Sequence, residues 1–158
     1  MPEKLEELRR AAVGSIREVL EKLEKKTGIA PGGSIQLVLA GNTTMVHFFL
    51  GLDAFCVFQT PYAVQADRPG FLPAAELELP VSGYVYCYPG KSNYLGGDIT
   101  SGLLMTDLDT REDLALFLDI GTNGELVLGC REFLLMGAGA AGPALEGAVS
   151  RSGMRAEP

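Results

Sequence analysis

Residues 114–130, LALFLDIGTNGELVLGC, constrain this chain more than any other stretch. An apolar run over 114–118 ends in the carboxylate of Asp119, and the backbone then turns through Gly121, Thr122, Asn123 and Gly124. Asn-Gly between two apolar runs signals a β-hairpin, because both residues tolerate the positive φ angles that tight turns require. A carboxylate at the mouth of a buried strand is costly unless a cation, a donor or water compensates it. Gly121 and Gly124 let the backbone approach a ligand and offer it N–H groups, and Thr122 and Asn123 add side-chain donors, an arrangement suited to phosphate. Asp119 would then hold magnesium through a water, since that ion keeps much of its water beside one or two carboxylates and phosphate oxygens. An ordinary hairpin without a ligand is the competing reading of the same residues.

The 158 residues around this hairpin suffice for one domain with a real core, and an apolar content of 47% excludes a disordered tail. A net charge of −7 argues against a nucleic-acid or anionic-membrane surface, either of which needs basic patches. The start, MPEKLEELRR, is charged, and no run approaches the ~18 apolar residues of a membrane span, so neither signal peptide nor span is expected and the expected location is cytoplasmic. Cys56, Cys87 and Cys130 are too far apart for C-x-x-C pairing and odd in number, which makes them small buried apolar residues. His47, within MVHFFLG, reads as a packed helix residue, and no metal-ligand cluster is expected in the chain.

Residues 3–27 carry apolar side chains at three- and four-residue steps and predict one amphipathic helix, opened by Glu3, Glu6 and Glu7, closed by Lys25 and Lys26 and capped by Gly28. Glu18 with Lys22 and Glu21 with Lys25 are expected pairs on its wet face. SIQLVLA then predicts a short buried strand leading through Gly41, Asn42, Thr43 and Thr44 into a helix ending near Leu50. Such a strand–turn–helix junction either binds an anion or simply caps the helix. The prolines at 61, 69, 73 and 80 predict loops with short extended pieces over 52–82. GYVYCYP predicts a strand with Tyr84, Tyr86 and Tyr88 on one face and Val85 and Cys87 on the other. Gly96 and Gly97 precede Asp98, the expected N-cap of a helix running to about Met105, with a charged turn following over 106–113. REFLLM predicts a further strand into Gly137-Ala138-Gly139-Ala140-Ala141-Gly142. That segment fits G-x-G-x-x-G by letter but lacks the following βαβ unit and acidic residue of a dinucleotide site.

The order of these motifs, a strand into GNTTM, a Gly-Gly-Asp helix start, LFLDIGTNGELVLG, AAGPALEGA and GMRA, resembles the ATPase domain of the reductive activators of corrinoid proteins over residues 4–156. Those proteins share a superfamily with acetate and sugar kinases, heat-shock chaperones and actin. The resemblance implies an α/β, ribonuclease-H-like (actin-like ATPase) fold: a mixed sheet with flanking helices and a central β-hairpin. Residues 1–112 would be the end of one repeat and 113–158 the start of the next. It implies ATP with Mg2+, whose hydrolysis is coupled to electron transfer returning the cob(II)amide of a partner corrinoid protein to cob(I)amide, and it is compatible with a homodimer. Carried over, Asp119, Gly121, Thr122, Asn123 and Gly124 resemble a phosphate hairpin supported by Glu125. Gly41, Asn42, Thr43 and Thr44 resemble a second polar loop. Asp98, set by Gly96 and Gly97, resembles the carboxylate that orients water or magnesium, and Gly142, Pro143 and Glu146 resemble an adenosine-side loop. The family's upstream iron–sulfur domain and earlier Asp-Gly-Thr hairpin have no counterpart here, so the chain reads as an excerpt of a larger domain. Two other functions fit the same residues: a small-molecule kinase with Asp98 as base, and a non-catalytic module docking a corrinoid protein.

Overall fold

The computed structural model of the chain describes residues 2–33, 36–121 and 123–139. Its internal contacts divide the chain into Met1–Thr100 and Ser101–Pro158.

In the first unit, helix α1 spans Pro2–Thr27, with Glu3 in its first turn and Lys25 and Lys26 in its last, as the macrodipole favours. Gly28 ends it at φ +74°, its N–H donating to the Glu24 carbonyl at 2.7 Å. Glu18 and Lys22 pair at 3.8 Å on the exposed face. A three-stranded mixed sheet has the order β1 (Leu37–Leu39), β3 (Tyr84–Cys87), β2 (Gly70–Pro73), with β1 parallel and β2 antiparallel to β3. Strand β1 is not buried on both faces as expected. Leu37 and Leu39 pack on the core while Val38, on the opposite face of an edge strand, is 56% exposed. Helix α2 (Thr43–Leu50) follows β1 and ends at Gly51 in the left-handed region, φ +68°.

The core gathers Val13 and Leu20 of α1, Phe49 of α2, Val85 and Cys87 of β3, and four residues of the long connection: Ala74, Leu77, Leu79 and Val81. The expected loops over 52–82 are there, with β2 and a short 3-10 helix, Ala54–Val57, capped by Asp53. The segment is nonetheless a wall of the core, and each large apolar side chain it buries contributes about 1.5–3 kcal/mol. Arg9 ties α1 to this wall: its guanidinium donates to Glu78 Oε1 at 2.9 Å and to the Glu76 carbonyl at 3.3 Å. On β3 the alternation is as expected, with Val85 and Cys87 inward and the Tyr86 ring packed against Phe71 and Tyr88, centroids 4.8 and 5.3 Å apart. Burial pushes the Cys87 thiol up to about 11, an unreactive apolar filler. Cys87 and Cys130 are buried and Cys56 half-buried, none in a disulfide.

Helix α3 spans Gly97–Leu103 across the division between the units. Past it, in the second unit, the charged turn closes on Asp107, whose carbonyl accepts from Thr110 and Arg111, and Leu108 is buried within it. Strands β4 (Ala115–Ile120), β5 (Gly124–Cys130) and β6 (Phe133–Gly139) form an antiparallel meander. The hairpin is therefore present, but β4 is not buried as expected. Phe117 lies against Gly102 and Val127 is fully buried on one face, while Leu116, Leu118 and Ile120 on the other are 53%, 54% and 66% exposed. Gly137 and Gly139, expected beyond the strand, continue β6 and pair with Leu126 and Gly124.

Two measurements check this architecture. A Cβ at Gly129 would strike the Phe133 carbonyl and the Leu134 backbone, so Gly129→Ala should destabilise the chain by about 1–3 kcal/mol in urea unfolding. The Arg9 guanidinium holds the Glu78 carboxyl below the usual carboxylate range. A lowered folded-state value contributes stability above the unfolded pKa of about 4.3 that is lost as pH falls through the folded one. Wild type should thus exceed Glu78→Gln in stability at pH 7, with the two converging below about pH 4.

Candidate functional site

Two of the polar segments singled out in sequence meet within the first unit. Asn42 is the N-cap of α2: its backbone is extended and its Oδ1 accepts from the Met45 N–H at 2.9 Å. Thr43 is 4% exposed, and its hydroxyl donates to the Ser92 carbonyl at 2.7 Å. Thr44 is half-buried, with no hydrogen bond to its hydroxyl among the described residues. Against this turn lies the start of α3. A Cβ on Gly96 would sit 2.5 Å from Asn42 Cα, 2.6 Å from the Gly41 carbonyl and 2.7 Å from Thr43 N, and one on Gly97 would sit 2.8 Å from the Tyr88 carbonyl. The bareness of both glycines is thus spent on backbone–backbone contact. The Asp98 N–H donates to the Gly41 carbonyl at 3.3 Å.

Asp98 itself differs from expectation. It lies in the first turn of α3 rather than at the N-cap before it, because the helix already begins at Gly97, and its Oδ1 accepts from the Ile99 N–H at 2.9 Å. It is half-buried, and its N–H meets the Gly41–Thr43 turn at the Gly41 carbonyl.

Several residues that complete this arrangement escaped the sequence reading. Asn93 donates to the Val57 carbonyl at 3.3 Å, and Thr100 donates to the Pro89 carbonyl at 2.5 Å. His47 is fully buried, as a packed residue should be, with Nδ1 2.7 Å from the Thr43 carbonyl and Nε2 accepting from the Gln65 N–H at 3.2 Å. The acceptor role of Nε2 places the ring proton on Nδ1. Apart from the Nδ1 contact within α2, these partners lie 11 to 49 residues apart in sequence, and no local pattern announces them.

The second unit carries the carboxylate hairpin. Asp119 stands directly opposite Glu125, both half-buried on the face shared with Phe117 and Val127. Like charges opposed across a strand pair are unfavourable. Gly124 pairs with Ile120 and belongs to β5, which makes the turn 121–123 and not an Asn123-Gly124 turn. Its Gly121 N–H donates to the Asn123 carbonyl at 2.9 Å. Thr122, Gly142, Pro143 and Glu146 lie outside the described residues. Among the described residues no three His, Cys, Asp or Glu side chains group to hold a metal, and no helix is long and apolar enough to cross a membrane.

Comparison with known proteins places these geometries in a family. Residues 1–111 match the family model described as the RACo middle region, and residues 113–158 match that of the C-terminal domain of RACo, the ASKHA domain. The chain is 32% identical over 156 residues to the corrinoid activation enzyme RamQ of Eubacterium limosum, covering 98% of this chain and 26% of that protein. It is 36% identical over 70 residues to the [Co(II) methylated amine-specific corrinoid protein] reductase of Methanosarcina barkeri, covering 44% of this chain and 13% of that protein. A solved structure of a reductive activator for corrinoid, iron–sulfur protein superposes with a TM-score of 0.86 at 42% identity, over 99% of this chain and 25% of that one. The chain thus spans about a quarter of the length of RamQ and of that structure. With both consecutive family models matched and the fold shared, the chain belongs to the RACo family of reductive activators, its middle region followed by residues of the actin-like ASKHA domain.

Proposed function

We propose that this chain is the ATP-binding part of a protein that reductively activates corrinoid proteins, coupling ATP hydrolysis to the return of cob(II)amide to cob(I)amide. The observation that carries the reading is the Asp119–Glu125 pair beside the Gly121–Asn123 turn, in the residues that match the ASKHA domain. The names of the relatives support the corrinoid protein as partner.

The residues fit magnesium-ATP. Two facing carboxylates, with no third His, Cys, Asp or Glu grouped beside them among the described residues, suit an ion that keeps most of its waters and takes its remaining ligands from phosphate. Bound there, magnesium would neutralise phosphate charge. Asp119 would accept hydrogen bonds from its waters, with Glu125 alongside, and Gly121, Thr122, Asn123 and Gly124 would serve as the phosphate turn. Gly41, Asn42, Thr43 and Thr44 form the second polar loop, Asp98 orients water or magnesium next to it, and Gly142, Pro143 and Glu146 serve the adenosine side. Residues 1–112 close one repeat and 113–158 open the next. The electron in this reading passes through an iron–sulfur domain elsewhere in a cytoplasmic parent protein.

A thermal melt tests the nucleotide reading. A ligand at 100 times its Kd stabilises the folded state by about 2.7 kcal/mol. With roughly 2–4 °C gained per kcal/mol for a chain of this size, millimolar magnesium-ATP should raise Tm by about 5–10 °C. Asp119→Ala should abolish the rise while leaving the unliganded melt cooperative. An equal rise in the variant would return Asp119 to a structural role, and no rise in wild type would remove ATP binding from this chain.

A further inference from the structure

We propose that Thr43 is a positioning residue, which through the Ser92 carbonyl locks the segment 90–98, and Asp98 with it, onto the turn that opens α2. The inference rests on the nucleotide reading of that turn and names the residue that holds it in place.

The two threonines of Gly41-Asn42-Thr43-Thr44 divide their labour. Capping of α2 is already supplied by Asn42, so the Thr43 hydroxyl is not needed there. That hydroxyl points away from solvent, 4% exposed, and its proton is committed to Ser92, 49 residues on in sequence. Thr43 therefore cannot reach a ligand, whereas the half-buried Thr44 beside it keeps its hydroxyl available.

The other end of the bond is a segment folded on itself and stitched to the rest of the unit. The N–H groups of Lys91 and Ser92 both donate to the Leu95 carbonyl, closing a turn. Gly90 donates to the Asp67 carbonyl, and Asn93 reaches the Val57 carbonyl. Gly96 then touches the backbone of Asn42 and Thr43, and the Asp98 N–H meets the Gly41 carbonyl. Among the contacts that join this segment to the 41–43 turn are one hydroxyl bond, one bare-backbone contact and one long amide bond. The Thr43 hydroxyl is the only side-chain donor among these three, so it is the point at which the clamp can be released without altering the backbone.

The test compares wild type, Thr43→Val and Thr43→Ser in hydrogen–deuterium exchange and in calorimetric titration with magnesium-ATP. Valine keeps the shape and removes the donor; serine restores it. In Thr43→Val the amides of 90–98 should exchange about tenfold faster while those of α1 hold, and magnesium-ATP should bind about tenfold more weakly, the scale of one buried hydrogen bond. Thr43→Ser should recover both. Faster exchange with unchanged affinity would make the bond purely structural and overturn the proposal, as would slow exchange with affinity lost. A wild type that binds no magnesium-ATP would instead overturn the nucleotide reading itself, and that result does not involve the variants.

Discussion

The close approach of two backbones at Gly96 is the contact on which the polar surface of residues 1–100 depends. With no Cβ, Gly96 comes against Asn42 and Thr43, and Gly97 against the Tyr88 carbonyl. Any side chain would force the segments apart, because the atoms met are backbone and cannot rotate away. Around this contact lie the exposed α2 cap, the Thr43–Ser92 bond and the Asp98–Gly41 bond; the Thr43–Ser92 bond satisfies the hydroxyl of a buried residue. The carboxylate at Asp98 is therefore carried by a framework fixed from two sides.

Residues 101–158 follow a different logic. Their meander puts apolar side chains on both faces: Phe117, Val127 and Met136 on one, and Leu116, Leu118, Ile120, Leu126 and Leu135 on the other. Toward the turn the first face becomes charged, where Asp119 meets Glu125, while on the other face Ile120 is followed across the strands by Gly124 and Gly139. Like charges directly opposite each other on neighbouring strands are unfavourable, which sets this end of the ribbon apart from its apolar remainder.

Some of this was written in local sequence. The bounds of α1, its Gly28 cap, the Asn42 cap of α2, the Tyr84–Tyr86–Tyr88 alternation and the existence of the 114–130 hairpin all arise from interactions spanning a few residues, where periodicity and capping chemistry decide. The motif order extended that legibility to the family. The exposure of β4 was misjudged because an apolar run reads the same whether one face or two is covered.

Other features had no local signature. The 52–82 connection looked like surface loop because prolines break its regularity, yet Val57, Leu77 and Leu79 are buried by elements distant in sequence. Nothing near Thr43 indicates that its hydroxyl will be taken by Ser92, or near Gly96 that its missing Cβ will be filled by Asn42, since each partner is reached only when β1 and β3 align in parallel. The sequence by itself determined which elements form, where they are capped and which residue types stand at the turns, since those are short-range balances of sterics and hydrogen bonding. The tertiary structure alone decided which glycines face backbone, which threonine is spent as a buttress and which carboxylates face each other, because those depend on contacts between segments that only folding brings together.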